Sequence, residues 1–235
     1  MNVEKLFIAP KTDRSIDITS SGLGNAPFPN GLQCCKEGFW IVDQCTDEVF
    51  LVDFSGNILK EFVTESGNSS GITISDNMIW ISNNGGPRDR IRRSSDHIGV
   101  WLLGVNHSTG KTVYSYKYNE LLSFGFHGLE YENNRIWIAI PGEQSILQVQ
   151  INPFKILHRF SVKYERVHGI ALDGNYIWAC HVLDRVIVQY DINTGNVLKE
   201  IFIRKSDPEP HGLSIWEGYL YYCDAVSGWV CRIEE

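Results

Sequence analysis

Three histidines each precede a glycine at nearly constant spacing: His127-Gly128, His168-Gly169 and His211-Gly212. Equivalent positions of a repeat point at a common centre. Neutral imidazoles converging on one point suit Zn, Fe, Mn, Ni or Cu, so the expected cofactor is a divalent transition metal. Three protein ligands with an open fourth position make a catalytic arrangement, in which the metal polarises a carbonyl or activates water. His181 neighbours His168 and reads as a fourth ligand or a general base. Glu130, two residues after Gly128, and Asp224 are further candidates for moving protons. The competing reading is structural: a repeat-encoded His also serves as a hydrogen-bond cap on the preceding loop. Three such histidines together, joined by His181 and Asp224, favour a functional site.

The elements that must position them come from an internal repeat. Five segments align on a glycine: Gly31, Gly71, Gly128, Gly169 and Gly212. Nine residues after each lies an aromatic, namely Trp40, Trp80, Trp137, Trp178 and Tyr221. Each unit then passes through β-branched and aromatic runs separated by Gly, Asn and Asp turns, which is the pattern of antiparallel strands. Four strands in about 40 residues make a propeller blade. The expected fold is all-β, a five-bladed β-propeller in one domain spanning 1–235, with blades near 30–63, 70–118, 127–163, 168–203 and 211–235. The fifth unit lacks an outer strand, and the N-terminal run at 3–9 supplies it, closing the ring. Residues 10–29 lack the glycine–aromatic signature and read as a long loop. The aromatic column reads as packing between blades.

In such a blade the start of strand one and the end of strand two lie side by side. Two columns are therefore expected to meet at one mouth of the axis. The first is Asn30, Ser70, His127, His168 and His211; the second is Asp43, Asn83, Ile140, His181 and Asp224. Nine of these ten are polar, over a wall of apolar neighbours, which marks a small-ligand site. Asn30, Asp43, Ser70 and Asn83 are thus candidate substrate contacts. Tyr164 and Arg166, in the loop before His168, are two more.

The run from Gly169 to Trp178 followed by that from Val188 to Leu198 resembles the NHL, YVTN and streptogramin-lyase-like propeller superfamily. The resemblance extends through all five units and implies the propeller fold. It also implies the general idea of a metal-assisted site on the axis, since streptogramin lyase opens a lactone by elimination with metal help. That enzyme has seven blades, so no catalytic residue carries over by position. Plant-type glutaminyl cyclases are five-bladed, but their blade motifs do not occur here. An all-His propeller centre is also similar to that of the carotenoid-cleavage oxygenases, again with seven blades, which ranks oxygen chemistry lower.

Net charge is −7, from 21 Lys and Arg against 28 Asp and Glu, which disfavours a nucleic-acid partner. No apolar run approaches the ~20 residues of a membrane helix, and Met1–Lys5 do not start a secretory signal, so a cytoplasmic protein is expected. The six cysteines lack zinc-ribbon spacing and read as buried thiols. The second unit carries an insertion, 84–97, with four arginines in six residues. It reads as a solvated loop or as a flap attracting an anionic substrate. His97, His107 and His158 read as surface residues.

Two functions follow. One is a metal-dependent lyase, isomerase or hydrolase acting on a small, anionic molecule, as a monomer or weak oligomer. The alternative is a non-catalytic ligand- or protein-binding propeller, whose hot spot would be the insertion. Fold alone decides neither.

Overall fold

The computed structural model describes residues 2–10, 27–75, 77–87, 90–118 and 125–234. The loop expected over 10–29 therefore lies largely outside the described residues, as do Arg88, Asp89 and Phe124. Among the described residues, twenty strands form five four-stranded antiparallel sheets. Blade one is β2 (Pro29–Cys35), β3 (Gly38–Asp43), β4 (Glu48–Val52) and β5 (Ile58–Val63). Blade two is β6 (Ser69–Ser75), β7 (Met78–Gly85), β8 (Gly99–Asn106) and β9 (Thr112–Lys117). Blade three is β10 (Leu129–Glu132), β11 (Arg135–Ile140), β12 (Ser145–Gln150) and β13 (Lys155–Ser161). Blade four is β14 (Val167–Asp173), β15 (Tyr176–His181), β16 (Val186–Asp191) and β17 (Val197–Phe202). Blade five is β18 (Gly212–Trp216), β19 (Tyr219–Cys223), β20 (Trp229–Glu234) and β1 (Asn2–Ile8), the N-terminal strand.

The expected five-bladed propeller and its closure are both present. β1 pairs antiparallel with β20 from Asn2↔Glu234 to Ile8↔Trp229, so the two ends of the chain complete one sheet. Burial falls from axis to rim. β2 and β3 are buried at every residue, whereas β5, β9, β13 and β17 are largely exposed. β3 and β11, covered on both faces, read as near-continuous apolar runs for this reason. The aromatic column packs between blades: Trp137 shares one apolar cluster with Val167, Ile170 and Ile177 of blade four, and Tyr221 lies edge-on to Phe39 of blade one. Among the described residues no helix is long and apolar enough to cross a membrane. All six cysteines are buried thiols.

The repeat glycines form a waist on the axis. A Cβ on Gly71 would lie 2.1 Å from the His127 carbonyl oxygen, one on Gly128 2.3 Å from that of His168, and one on Gly169 2.3 Å from that of His211. Gly212 abuts Leu32 and Gly31, which in turn abuts Ile72, closing the circle. The five inner strands thus touch backbone to backbone. At this level the axis leaves no room for a water molecule.

Candidate functional site at the mouth of the axis

Above the waist, in blades one, two and four, a β-bulge displaces the residue before the glycine. In blade one Pro29 pairs with Asp43 and Gly31 with Val42, leaving Asn30 as the extra residue. Blade two repeats this, with Ser69↔Asn83, Gly71↔Ser82 and Ser70 extra. In blade four the register shifts between Val167↔His181 and Ile170↔Ala179, across His168. A bulge re-aims the unpaired side chain, here toward the axis. The result is a bowl of about 390 Å³ lined by Phe28, Asn30, Gln44, Asn68, Asn84, His127, Arg166, His168 and His211.

One half of the bowl is an arc of side-chain amides. Asn68 Nδ2 donates to the Asn84 backbone carbonyl (3.4 Å), which can only accept. That leaves Asn68 Oδ1 to accept from Gln44 Nε2 (2.8 Å), and Gln44 Oε1 to accept from Asn30 Nδ2 (2.5 Å). Ser70 Oγ lies beneath and accepts from Gln44 Nε2 and Asn84 Nδ2. The chain ends on Asn30 Oδ1, buried without a partner.

The other half holds the three histidines, brought together as expected. His127 Nδ1 and His168 Nε2 are 2.7 Å apart, with the rings nearly perpendicular. The His211 ring lies 5.2 Å from that of His168. Burial holds His168 well below the ordinary imidazole pKa; the charges of His127, His211 and Arg166 act the same way. Burial also lowers His211, against the pull of Glu209 and Asp224. His168 Nδ1 is buried with no partner. An orphaned N–H is the rarer and costlier defect. The proton of His168 therefore sits on Nε2 and is donated to His127 Nδ1, and His127 carries its own proton on Nε2.

This geometry does not fit the expected metal. Two nitrogens on one tetrahedral metal lie about 3.3 Å apart. The His127–His168 pair is closer than that and is joined by a hydrogen bond. Among the described residues no group of three or more His, Cys, Asp or Glu is arranged to hold a metal ion.

The second expected column does not reach the bowl. The bulge pairs its members with the residue before the extra one, and their side chains latch the segment that enters the same blade. Asp43 Oδ2 accepts from Phe28 N (2.7 Å), while its Oδ1 caps the turn at Cys45 and Thr46. Asn83 Oδ1 accepts from Ser66 Oγ, Gly67 N and Asn68 N, and its Nδ2 donates to three carbonyls. His181 Nδ1 faces the Glu165 carbonyl (3.3 Å) and Nε2 the Tyr190 hydroxyl (2.9 Å). Since a carbonyl only accepts, the proton is on Nδ1 and Tyr190 donates to Nε2, taking Lys163 N–H in return. Burial drives His181 down to about 4. Asp224 caps the following turn through Val226 N and Ser227 Oγ, and its Oδ1 is 4.0 Å from His211 Nδ1.

Glu130 lies past the waist, beside Gln33, Cys34 and the Leu172 backbone, and does not line the bowl. Burial raises its carboxyl to about 8, so it is a neutral acid at neutral pH. Tyr164 points outward, donating to Glu200 Oε1 (2.9 Å) beneath the Lys163 ammonium. Arg166 alone of that loop reaches the bowl, on a backbone with φ of 47°. Two of the insertion's arginines are spent on structure. Arg90 is buried between Asp47 (2.5 Å) and Asp96 (2.8 Å), and Arg93 closes on Asp96 (3.0 Å). His97 and His158 are half-buried and hydrogen-bonded to the carbonyls of Glu65 and Ile192, rather than lying free on the surface. Sequence reasoning missed Phe28, Gln44, Asn68 and Asn84 as bowl residues. Their signal is the same arithmetic with other offsets: three residues before the repeat glycine for Phe28, Asn68 and Arg166, and thirteen after it for Gln44 and Asn84.

No protein-family model and no curated protein sequence matches the chain. Solved structures do. Glutaminyl cyclase from Myxococcus xanthus superposes with a TM-score of 0.71 at 11% identity, over 99% of this chain and 95% of that one. A catalytically inactive variant of virginiamycin B lyase from Staphylococcus aureus, with quinupristin, gives 0.54 at 18% identity, over 87% and 65%. A streptogramin B lyase gives 0.53 at 14% identity, over 98% and 96%. At 11% identity the glutaminyl cyclase likeness needs no shared blade motif, and none was read in the sequence. The chain has the β-propeller fold that it shares with the glutaminyl cyclase and streptogramin B lyase structures.

Proposed function

We propose that the bowl at the mouth of the axis is the active site of a small-molecule enzyme that moves a proton with the His127–His168 pair. The reaction class is that of a lyase, isomerase or hydrolase. The observation that carries this reading is the 2.7 Å contact between His127 Nδ1 and His168 Nε2 at a bowl of about 390 Å³. A structural cap needs one bond from imidazole to backbone. Here two imidazoles are hydrogen-bonded to each other, side by side on the bowl. His168 Nδ1, buried with no partner, is the lone pair that can take a substrate proton, while its Nε2–H bond to His127 Nδ1 holds the ring in place. A neutral imidazole can take up a proton and, once charged, give it up again near pH 7. No step passes through a metal, because the nitrogens are too close to share one. The likeness to structures of a cyclase and of lyases supports an enzyme on this fold without naming its substrate.

The test incubates the untagged protein with a complex mixture of small metabolites, followed by mass spectrometry. His168→Ala and His127→Phe, checked for folding, run alongside. Consumption of a compound by the unmodified protein and by neither variant is the expected result. The reading fails if nothing is consumed, which leaves a binding propeller. It fails differently if the protein carries one transition metal per chain that a His127→Ala, His168→Ala, His211→Ala variant loses.

A further inference from the structure

Two acceptors of the bowl are buried and unanswered. Asn30 and His168 both line it, each 3% exposed, and Asn30 Oδ1 and His168 Nδ1 have no hydrogen-bond partner. Neither group can reverse its polarity. The Asn84 backbone carbonyl orients Asn68, which orients Gln44, which orients Asn30, so Asn30 is left with its oxygen unpaired. The proton that His168 donates from Nε2 to His127 leaves Nδ1 as a lone pair. A buried acceptor without a donor is costly, and a ligand that supplies the donor recovers that cost.

The rest of the lining decides what kind of donor fits. A cationic donor needs a counter-charge, and no Asp or Glu is among the described lining residues. The positive charge of Arg166, which helps to hold His168 and His211 below the ordinary imidazole range, opposes a second cation. Arg166 has an interaction of its own, and neither acceptor depends on it. A simple anion brings no donor and leaves both acceptors empty. The donors are therefore neutral. Phe28, half-buried on the rim, adds a flat apolar face against which the C–H face of a ring can lie. Hydroxyls on neighbouring ring carbons combine neutral donors with such a face.

Resting on the reading of the bowl as the active site, we infer that its substrate class is the neutral cyclic polyols: uncharged sugars or ring alcohols with hydroxyls on neighbouring carbons. One hydroxyl donates to Asn30 Oδ1 and another to His168 Nδ1. A bowl of about 390 Å³ is within the usual range for such a ligand.

Isothermal titration with myo-inositol, D-glucose and D-xylose, against cyclohexanol, cyclohexylammonium and acetate, tests this. Cyclohexanol keeps the ring and one hydroxyl, cyclohexylammonium the ring and a charged donor, and acetate a charge without a donor. At least one polyol is expected to bind about tenfold or more tightly than each of the three, the scale of one to two neutral hydrogen bonds. This comparison is made on the unmodified chain and needs no variant to fold. Asn30→Leu and His168→Phe, checked for folding, are each expected to weaken that polyol by about three- to tenfold. Unchanged affinity in both folded variants overturns the inference. Cyclohexylammonium binding as tightly overturns it in favour of a cation site, acetate in favour of an anion site, and cyclohexanol in favour of an apolar one. If no polyol binds while the metabolite incubation shows His168-dependent loss of another compound, the substrate class is wrong and the active-site reading stands. If a polyol binds as expected and nothing is consumed, the active-site reading falls and the ligand class stands. If nothing binds and nothing is consumed, both fall.

Discussion

Gly71→Ala tests whether the waist of the propeller is what places the histidines. A methyl group on Gly71 would sit 2.1 Å from the His127 carbonyl oxygen and 2.8 Å from its carbon. Real Cβ atoms stay beyond about 3.0 Å. The inner strands of blades two and three must then part by about 0.9 Å, the gap between those distances, because the clash is with backbone and no rotamer relieves it. Overpacking of this kind costs about 1–3 kcal/mol. Parting also stretches the bond from Ser82 Oγ to the same oxygen, now 2.8 Å, out of range, adding about 1 kcal/mol. The expected loss is about 3 kcal/mol. With a urea slope near 3 kcal/mol/M that is a midpoint shift of about 1 M. Gly174→Ala is the control. Gly174 has φ of +60° and open space around its Cβ, so it carries only the left-handed penalty of about 1–2 kcal/mol. The substitutions also separate in function. A shift approaching 1 Å at His127 is expected to cut turnover of any consumed compound by about a hundredfold in Gly71→Ala and hardly at all in Gly174→Ala. Equal destabilisation by the two, with activity retained in both, would refute the argument that the waist sets the site.

Three further outcomes follow from the same structure. His181 is held at about 4 against an ordinary 6.5, so between those values the unfolded chain binds a proton that the folded one refuses. Stability from this group is complete above about pH 6.5 and falls as pH drops toward 4, by roughly 3 kcal/mol in all; urea midpoints across that range should slope downward with acid, and His181→Gln should flatten the slope. Arg90→Met leaves the buried carboxylates of Asp47 and Asp96 short of their partner and is expected to cost about 3–5 kcal/mol by urea titration, whereas Arg92→Ala, on the exposed side of the same insertion, is expected to change stability by less than about 0.5 kcal/mol. Deleting residues 1–9 strips β1 from β20 and leaves an open edge on blade five, so the truncated chain is expected to self-associate in sedimentation velocity where the full chain does not.

The glycine-to-aromatic offset of nine residues was enough to read the fold, because both ends of it answer to packing that repeats in every blade. The glycines are forced by the backbone contacts at the waist, and the aromatics by the gaps between blades. The site was half legible for a reason found in the same strands. Counting along ideal antiparallel partners puts the residue before the glycine beside the one twelve after it. A single bulged residue breaks that count, so Asn30, Ser70 and His168 turn to the axis while Asp43, Asn83 and His181 turn to the entering segments. A bulge leaves no mark on a hydrophobic pattern, since it changes direction and not polarity. Glu130 shows a second kind of blindness: it follows Gly128 by two residues, and only the closed waist separates it from the histidines. The arginines of the insertion show a third. Composition makes them a solvated or ligand-seeking patch, and it is Asp47, in another blade, together with Asp96, within the insertion, that makes Arg90 a buried strut. What a sequence repeat reports well is therefore the contacts every blade must make. The chemistry at the mouth depends on how each blade departs from that repeat, and there the decisive facts are the direction of a side chain and the partner it finds.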